Sequence, residues 1–226
     1  MKMLNTLRKS FTTFVLVSLL GCSVISLYGI YNQNHMQNLS IQSFTAKDIV
    51  ADILPPPLYL IEYRLTISQV IEGSISFDEA EAKTNQLEKD YLDRIDYWKK
   101  HQSYGLDTNL IGKQHTSALA FISYCKEQIL PKIKNKTEIT KLDIQKAHEL
   151  YLEHRKYVDQ TVILANNLAE TSSKSLDSYM SSSITMIISI FVLTLIFILL
   201  VSKLIIKSIE SPIKRCKTIA EKIANG

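Results

Sequence analysis

Two apolar runs frame the chain, one from Phe11 to Tyr31 and one from Ile184 to Ile206. Each supplies the roughly 20 residues a helix needs to cross about 30 Å of hydrocarbon. Between them, residues 32–183 are polar, with little glycine and no alternation of period two. Apolar positions there recur at three and four residues, which predicts an all-α segment.

The spacing predicts four helical arms. The first continues from the leading apolar run through Leu54 and is interrupted by Pro55, Pro56 and Pro57. Three prolines remove three backbone donors and push the residue before them out of the helical region. Helix is expected again from Leu58 to Glu72, ended by Gly73. Ser76, with Glu79 three residues on, forms a capping box for the second arm. That arm carries Phe77, Ala80, Thr84, Leu87, Tyr91, Ile95 and Trp98 on one stripe and stops near His101. The third spans Asp107 to Leu130, with Pro131 and the basic Lys132–Lys136 stretch, read as a solvated loop, after it. The fourth begins near Thr140. Its seam is Ala147, Tyr151, His154, Val158, Thr161, Ala165, Leu168, Ser172, Ser175 and Tyr179, in alternating steps of four and three. The half nearest the second apolar run is small and polar, a composition that tolerates sliding better than a Leu/Ile seam.

This layout predicts two transmembrane helices flanking an extracytoplasmic up-down four-helix bundle. The expected divisions are a cytoplasmic N-terminus over 1–10, a first crossing over 11–31, a sensor domain over 32–183, a second crossing over 184–206 and a cytoplasmic helix over 207–226. Charge sets the orientation. The two ends hold nine basic and two acidic residues, while the middle holds 17 basic and 20 acidic. Lys and Arg flanks stay in the cytoplasm, so the middle segment is expected outside. The chain's net +4 is thus juxtamembrane, suited to anionic lipid headgroups, and predicts no nucleic-acid partner. A rival reading of the first run is a signal peptide, since Leu19-Leu20-Gly21-Cys22 is similar to a lipoprotein cleavage site. The apolar run continues past it through Val24, Ile25, Leu27, Tyr28 and Ile30, which favours a retained helix. Cys22, Cys125 and Cys216 fall in three compartments, so no disulfide is expected within the chain.

Several segments resemble the sensor domain of bacterial methyl-accepting chemotaxis transducers. They are Leu54-Pro55-Pro56-Pro57-Leu58-Tyr59-Leu60-Ile61-Glu62, Asp90 to Trp98, Leu130-Pro131, and Tyr151-Leu152-Glu153-His154-Arg155. The resemblance covers about residues 30–183. Ile209-Glu210-Ser211-Pro212-Ile213 onward looks like the first helix of a HAMP linker, a pattern shared with sensor histidine kinases. The resemblance implies a homodimeric receptor in the bacterial cell membrane, with both termini cytoplasmic. Its input would be a small molecule or a periplasmic binding protein. Its output would come from residues outside this chain. A sensor half of a histidine kinase or cyclase, or a stand-alone membrane bundle, are the competing readings. The sequence shows no catalytic arrangement, and neither an enzyme activity nor a cofactor is expected.

Helix-length arithmetic at 1.5 Å per residue places one set of polar residues about 20–27 Å from the distal tip. Tyr59, Glu62, Arg94, His115, His154 and Arg155 are therefore the candidate ligand layer. Arg94 and Arg155 would suit a carboxylate or other small anion. The alternative is structural: Glu62 pairs with Arg94 or Arg155, and His154 is a core histidine. His148 and His154, six residues apart, lie on different faces and make a poor metal pair.

Overall fold

The computed structural model describes residues 2–53 and 58–224, and the proline interruption at 55–57 expected from the sequence lies outside them. The described residues are helical, with no strand among them. The elements are α1 (Lys2–Ile53), α2 (Ile61–Glu72), α3 (Phe77–Lys100), α4 (His115–Tyr124), α5 (Leu130–Lys134) and α6 (Lys141–Ala224). Two π-helical stretches, Thr108–Gln114 and Cys125–Ile129, flank α4.

Local chemistry sets most boundaries. Gly73 ends α2 at φ 74°, in the left-handed region that glycine enters without penalty. Ser76 caps α3, its hydroxyl accepting from the Glu79 N–H at 3.2 Å. At the start of α6, the Asp143 N–H donates to Thr140 Oγ1 and the Thr140 N–H donates to the Asp143 carboxylate. Lys132 adds an ammonium at 2.7 Å, and these contacts hold the Asp143 carboxyl down at about 2.

Three expectations require correction. Helix does not resume at Leu58: residues 58–60 form a turn, with Leu58 N–H donating to Asp52 C=O at 3.1 Å, and α2 starts at Ile61. The third arm does not end at Leu130. It continues as α5 to Lys134, with Pro131 inside it. The preceding π turn explains the tolerance, because a widened turn relieves the clash between a proline ring and the carbonyl four residues back. The seam of α6 shifts in part. Ala169 is buried beside the expected Leu168, Ser172 is buried as expected, and Leu176 and Tyr179 are both half-buried, while Ser175 faces outward. Two successive steps of four, Thr161 to Ala165 to Ala169, insert an eleven-residue period. That period lies nearer the natural 3.6 residues per turn than a strict heptad does.

The chain divides into two compact units. One holds residues 39–175. Its core takes Ile49 and Ile53 from α1, Tyr63 and Ile67 from α2, and Tyr91, Ile95 and Trp98 from α3. Leu110, Phe121, Ile122 and Ile129 come from the third arm, and Tyr151 and Val158 from α6. Phe121 is central, meeting the rings of Tyr63 and Tyr151 edge-on at 5.8 and 5.7 Å. Edge-to-face pairs of this kind add about 0.5–1.5 kcal/mol beyond burial alone. Cys125 is fully buried here, and burial pushes its thiol up to about 12. Small residues then let α1 and α6 approach: Ala46, Ala165 and Ala169 are buried, and Ser43 Oγ donates to Ala169 C=O at 3.2 Å.

The other unit holds residues 2–38 and 176–224. Here α1 and α6 each contain a stretch long and apolar enough to cross a bilayer. Large side chains on both stay exposed, among them Leu16, Leu20 and Leu27 on α1 and Ile188, Leu193 and Leu199 on α6. Exposed apolar surface of this extent marks a membrane or interaction face. A Cβ on Gly21 would fall 2.6 Å from Thr194 Cγ2, so this close helix approach depends on glycine. Tyr179 OH donates to Asn32 Oδ1 at 2.8 Å within the same unit.

Candidate functional site

The expected ligand layer separates into distinct clusters. Arg94, half-buried one turn before Trp98 on α3, reaches Asp52 in the last turn of α1. Its Nε donates to Asp52 Oδ2 at 2.6 Å, and its Nη2 pairs with the same oxygen. Trp98 Nε1 donates there too, at 2.9 Å. The guanidinium also stacks on Tyr97 at 4.2 Å. Three donors on one carboxylate oxygen leave Arg94 compensated within the chain. Glu62 does not pair with it, as the structural alternative supposed. Glu62 is exposed at the start of α2.

Arg155 points outward and sits 3.9 Å from Asp159, one turn on, as an exposed pair. Such pairs contribute little. His115 meets Tyr91 instead, with Nδ1 3.1 Å from the phenol oxygen. Burial, and next the charge of Lys99, lowers the His115 pKa.

Two expected residues do meet. The rings of Tyr59 and His154 lie 6.4 Å apart. Tyr59 OH lies 2.9 Å from Tyr151 OH, and burial pushes Tyr59 up to about 12. His154 is fully buried, and its Nδ1 lies 3.4 Å from the Gln114 carbonyl. A carbonyl only accepts, so the proton sits on Nδ1. Burial holds the imidazole down at about 4, which keeps it neutral. Gln114 Nε2 donates to Leu58 C=O at 3.4 Å, tying the π turn to the residue after the proline segment. His154 Nε2 and Gln114 Oε1 find no hydrogen-bond partner among the described residues.

A third arginine, not singled out from the sequence, is placed differently. Arg64 on α2 lies over the Tyr151 ring at 4.3 Å, and its Nη2 donates to His148 Nδ1 at 3.0 Å. Among the described residues no carboxylate pairs with it. With Ser68, Ile67, Phe121, Ala147 and His148 it lines a cleft of about 120 Å³ between α2, α4 and α6. Its sequence signal was weak. Arg64 lies two residues beyond the segment that carried the family resemblance, and His148 lies 84 residues away.

His148 and His154 lie apart, one exposed beside Arg64 and one in the core. Comparison with protein-family models, with curated proteins and with solved structures gave no match.

Proposed function

We propose that this chain is the membrane-anchored sensor half of a receptor of the methyl-accepting chemotaxis type. In this reading residues 32–183 form an extracytoplasmic up-down four-helix bundle, paired with a second copy. The bundle binds a small molecule, an anion such as a carboxylate, or a periplasmic binding protein. The two apolar helices hold it in the bacterial cell membrane with both termini in the cytoplasm. Output is delivered by a cytoplasmic signalling domain outside these residues, reached through a HAMP linker that begins near residue 207. The chain binds and relays, and catalyses nothing.

One observation carries the reading. Helix α6 is continuous from Lys141 to Ala224, so the residues that line the core (Tyr151, His154 and Val158) share one helix with the second apolar run. A ligand that favours one packing of α6 over another displaces that helix only by its differential affinity for the two. The seam between the core and the apolar run is Thr161, Ala165, Ala169 and Ser172, small side chains with little interlocking surface. Two packings of similar energy are easier to reach there than across a seam of Leu and Ile.

The test is disulfide crosslinking of single cysteines placed along 165–179 in the full chain in membranes. Crosslinking is compared with and without a mixture of small carboxylates. The reading expects a change of register in the crosslinking pattern. A pattern identical in both conditions counts against the relay.

A further inference from the structure

We propose that the cleft between α2 and α6 at Arg64 binds a small monocarboxylate with a short aliphatic tail. The site differs from the layer expected around Arg94 and Arg155, and the reason is charge. Those two arginines each face an acid of this chain, Asp52 and Asp159. Arg64 faces an imidazole and a phenol ring. Its positive charge is offered to the cleft uncompensated.

The guanidinium is also preorganised. Stacking on Tyr151 fixes its plane, and the bond to His148 Nδ1 fixes its rotation in that plane. Arginine has five N–H donors and no acceptor, so the remaining N–H groups present a fork that matches a carboxylate bidentately. The same rule settles the imidazole. Arginine can only donate, so His148 Nδ1 accepts and the proton of the neutral ring sits on Nε2. That nitrogen is a further donor at the rim, and the Ser68 hydroxyl is another.

Size and lining narrow the ligand. A cleft of about 120 Å³ holds about four waters at ~30 Å³ each, which is room for two to four carbons and a carboxylate. Ile67, Phe121 and Ala147 form an apolar floor. A second carboxylate would be desolvated against that floor without a partner, so dicarboxylates are disfavoured. A cation would meet the Arg64 charge.

Position links the cleft to the receptor reading. His148, Ala147 and Tyr151 belong to α6, and Arg64, Ile67 and Ser68 belong to α2. A carboxylate held by Arg64 and His148 would bridge the two helices. The signalling consequence rests on the receptor reading, whereas binding does not.

The experiment is titration calorimetry of the full chain in lipid nanodiscs with sodium propionate, with propionamide as the neutral match. Saturable binding of one propionate per chain is expected, with propionamide at least about tenfold weaker. Arg64→Gln is expected to weaken propionate at least about tenfold. Arg64→Lys, which keeps the charge but loses the fork, should fall between. Ser68→Leu, which fills the cleft from its rim, should abolish binding. Circular dichroism checks that each variant is folded, and the amide comparison needs no variant. The site is overturned by equal affinity for the amide, by propionate binding that Arg64→Gln leaves unmoved, or by no binding at millimolar propionate. Propionate that binds at Arg64 yet leaves the crosslinking of α6 unchanged breaks the relay and spares the site. A crosslinking shift that survives Arg64→Gln breaks the site and spares the relay.

Discussion

Arg94 and Arg64 begin alike and end differently. Both sit on helices, both stack on an aromatic ring at about the same distance, and both are partly exposed. Arg94 has Asp52, 42 residues upstream, and shares it with Trp98. Arg64 has His148, which is neutral when it accepts the Arg64 bond. The first cluster is closed on itself and braces α3 against α1. The second is open and lines a cleft. An arginine's availability is set by what the fold brings to it, and its own sequence neighbourhood says little about that. The histidines repeat the contrast: His154 is locked in the core by burial, while His148 stays at the surface with a free donor.

The sharpest way to break this comparison is Asp52→Ala. It strips Arg94 of its counter-charge and Trp98 of its acceptor. Breaking a buried pair costs about 3–5 kcal/mol. With side-chain exposures of 31% and 17%, solvent screening reduces that to roughly 2 kcal/mol. Thermal unfolding followed by circular dichroism should show the corresponding drop, and an unchanged midpoint would mean the cluster is not a brace.

Per pH unit, a smaller effect is expected from acidification. Folding lowers the His154 pKa from 6.5 to about 4. Between those values the unfolded chain takes up a proton that the folded chain does not, so stability falls as pH falls. The contribution is fully present above about pH 6.5 and is lost progressively toward pH 4. Its slope is at most about 1.4 kcal/mol per pH unit. His154→Leu, which keeps the volume without the titration, should flatten unfolding curves in this window. A residual slope is expected from His115, whose pKa folding also lowers. An unaltered slope in His154→Leu would show that another group titrates.

The smallest effect on stability belongs to Arg64→Gln. A partly exposed cation over an aromatic ring contributes about 0.5–1 kcal/mol, so its unfolding midpoint should stay close to that of the parent chain. A loss as large as that of Asp52→Ala would make Arg64 a structural residue like Arg94 and erase the distinction.

Local signals in the sequence were readable where one residue decides the outcome. Ser76 with Glu79, Gly73, and the stripe from Ala80 to Trp98 gave helix limits and a buried face that the structure contains. Pro131 taken alone points to a helix end, whereas the third arm runs on to Lys134. The π turn before the proline, which makes room for the ring, has no single-residue signature. The expected heptad of α6 matches the buried face through Ala165 and again at Ser172, and departs from it at Ala169 and Ser175. Ala169 and Ser172 are small enough that either of two periods fits the residue types, and packing against Ser43 and Ala46 selects one. Among the candidate site residues, helix length placed Tyr59 and His154 together. Length could not say which arginine meets which acid, because rotation about a helix axis turns a side chain away without changing its depth.

The sequence by itself determined the helical class, the two apolar runs and most helix limits, since these follow from local spacing, capping and composition. The tertiary structure alone decided that Asp52 neutralises Arg94, that Arg155 faces outward beside Asp159, and that Arg64 stacks on Tyr151 beside His148. The reason is physical. Charge compensation and burial are set by residues far apart in the chain, and only the packed helices bring them within a few ångströms of one another.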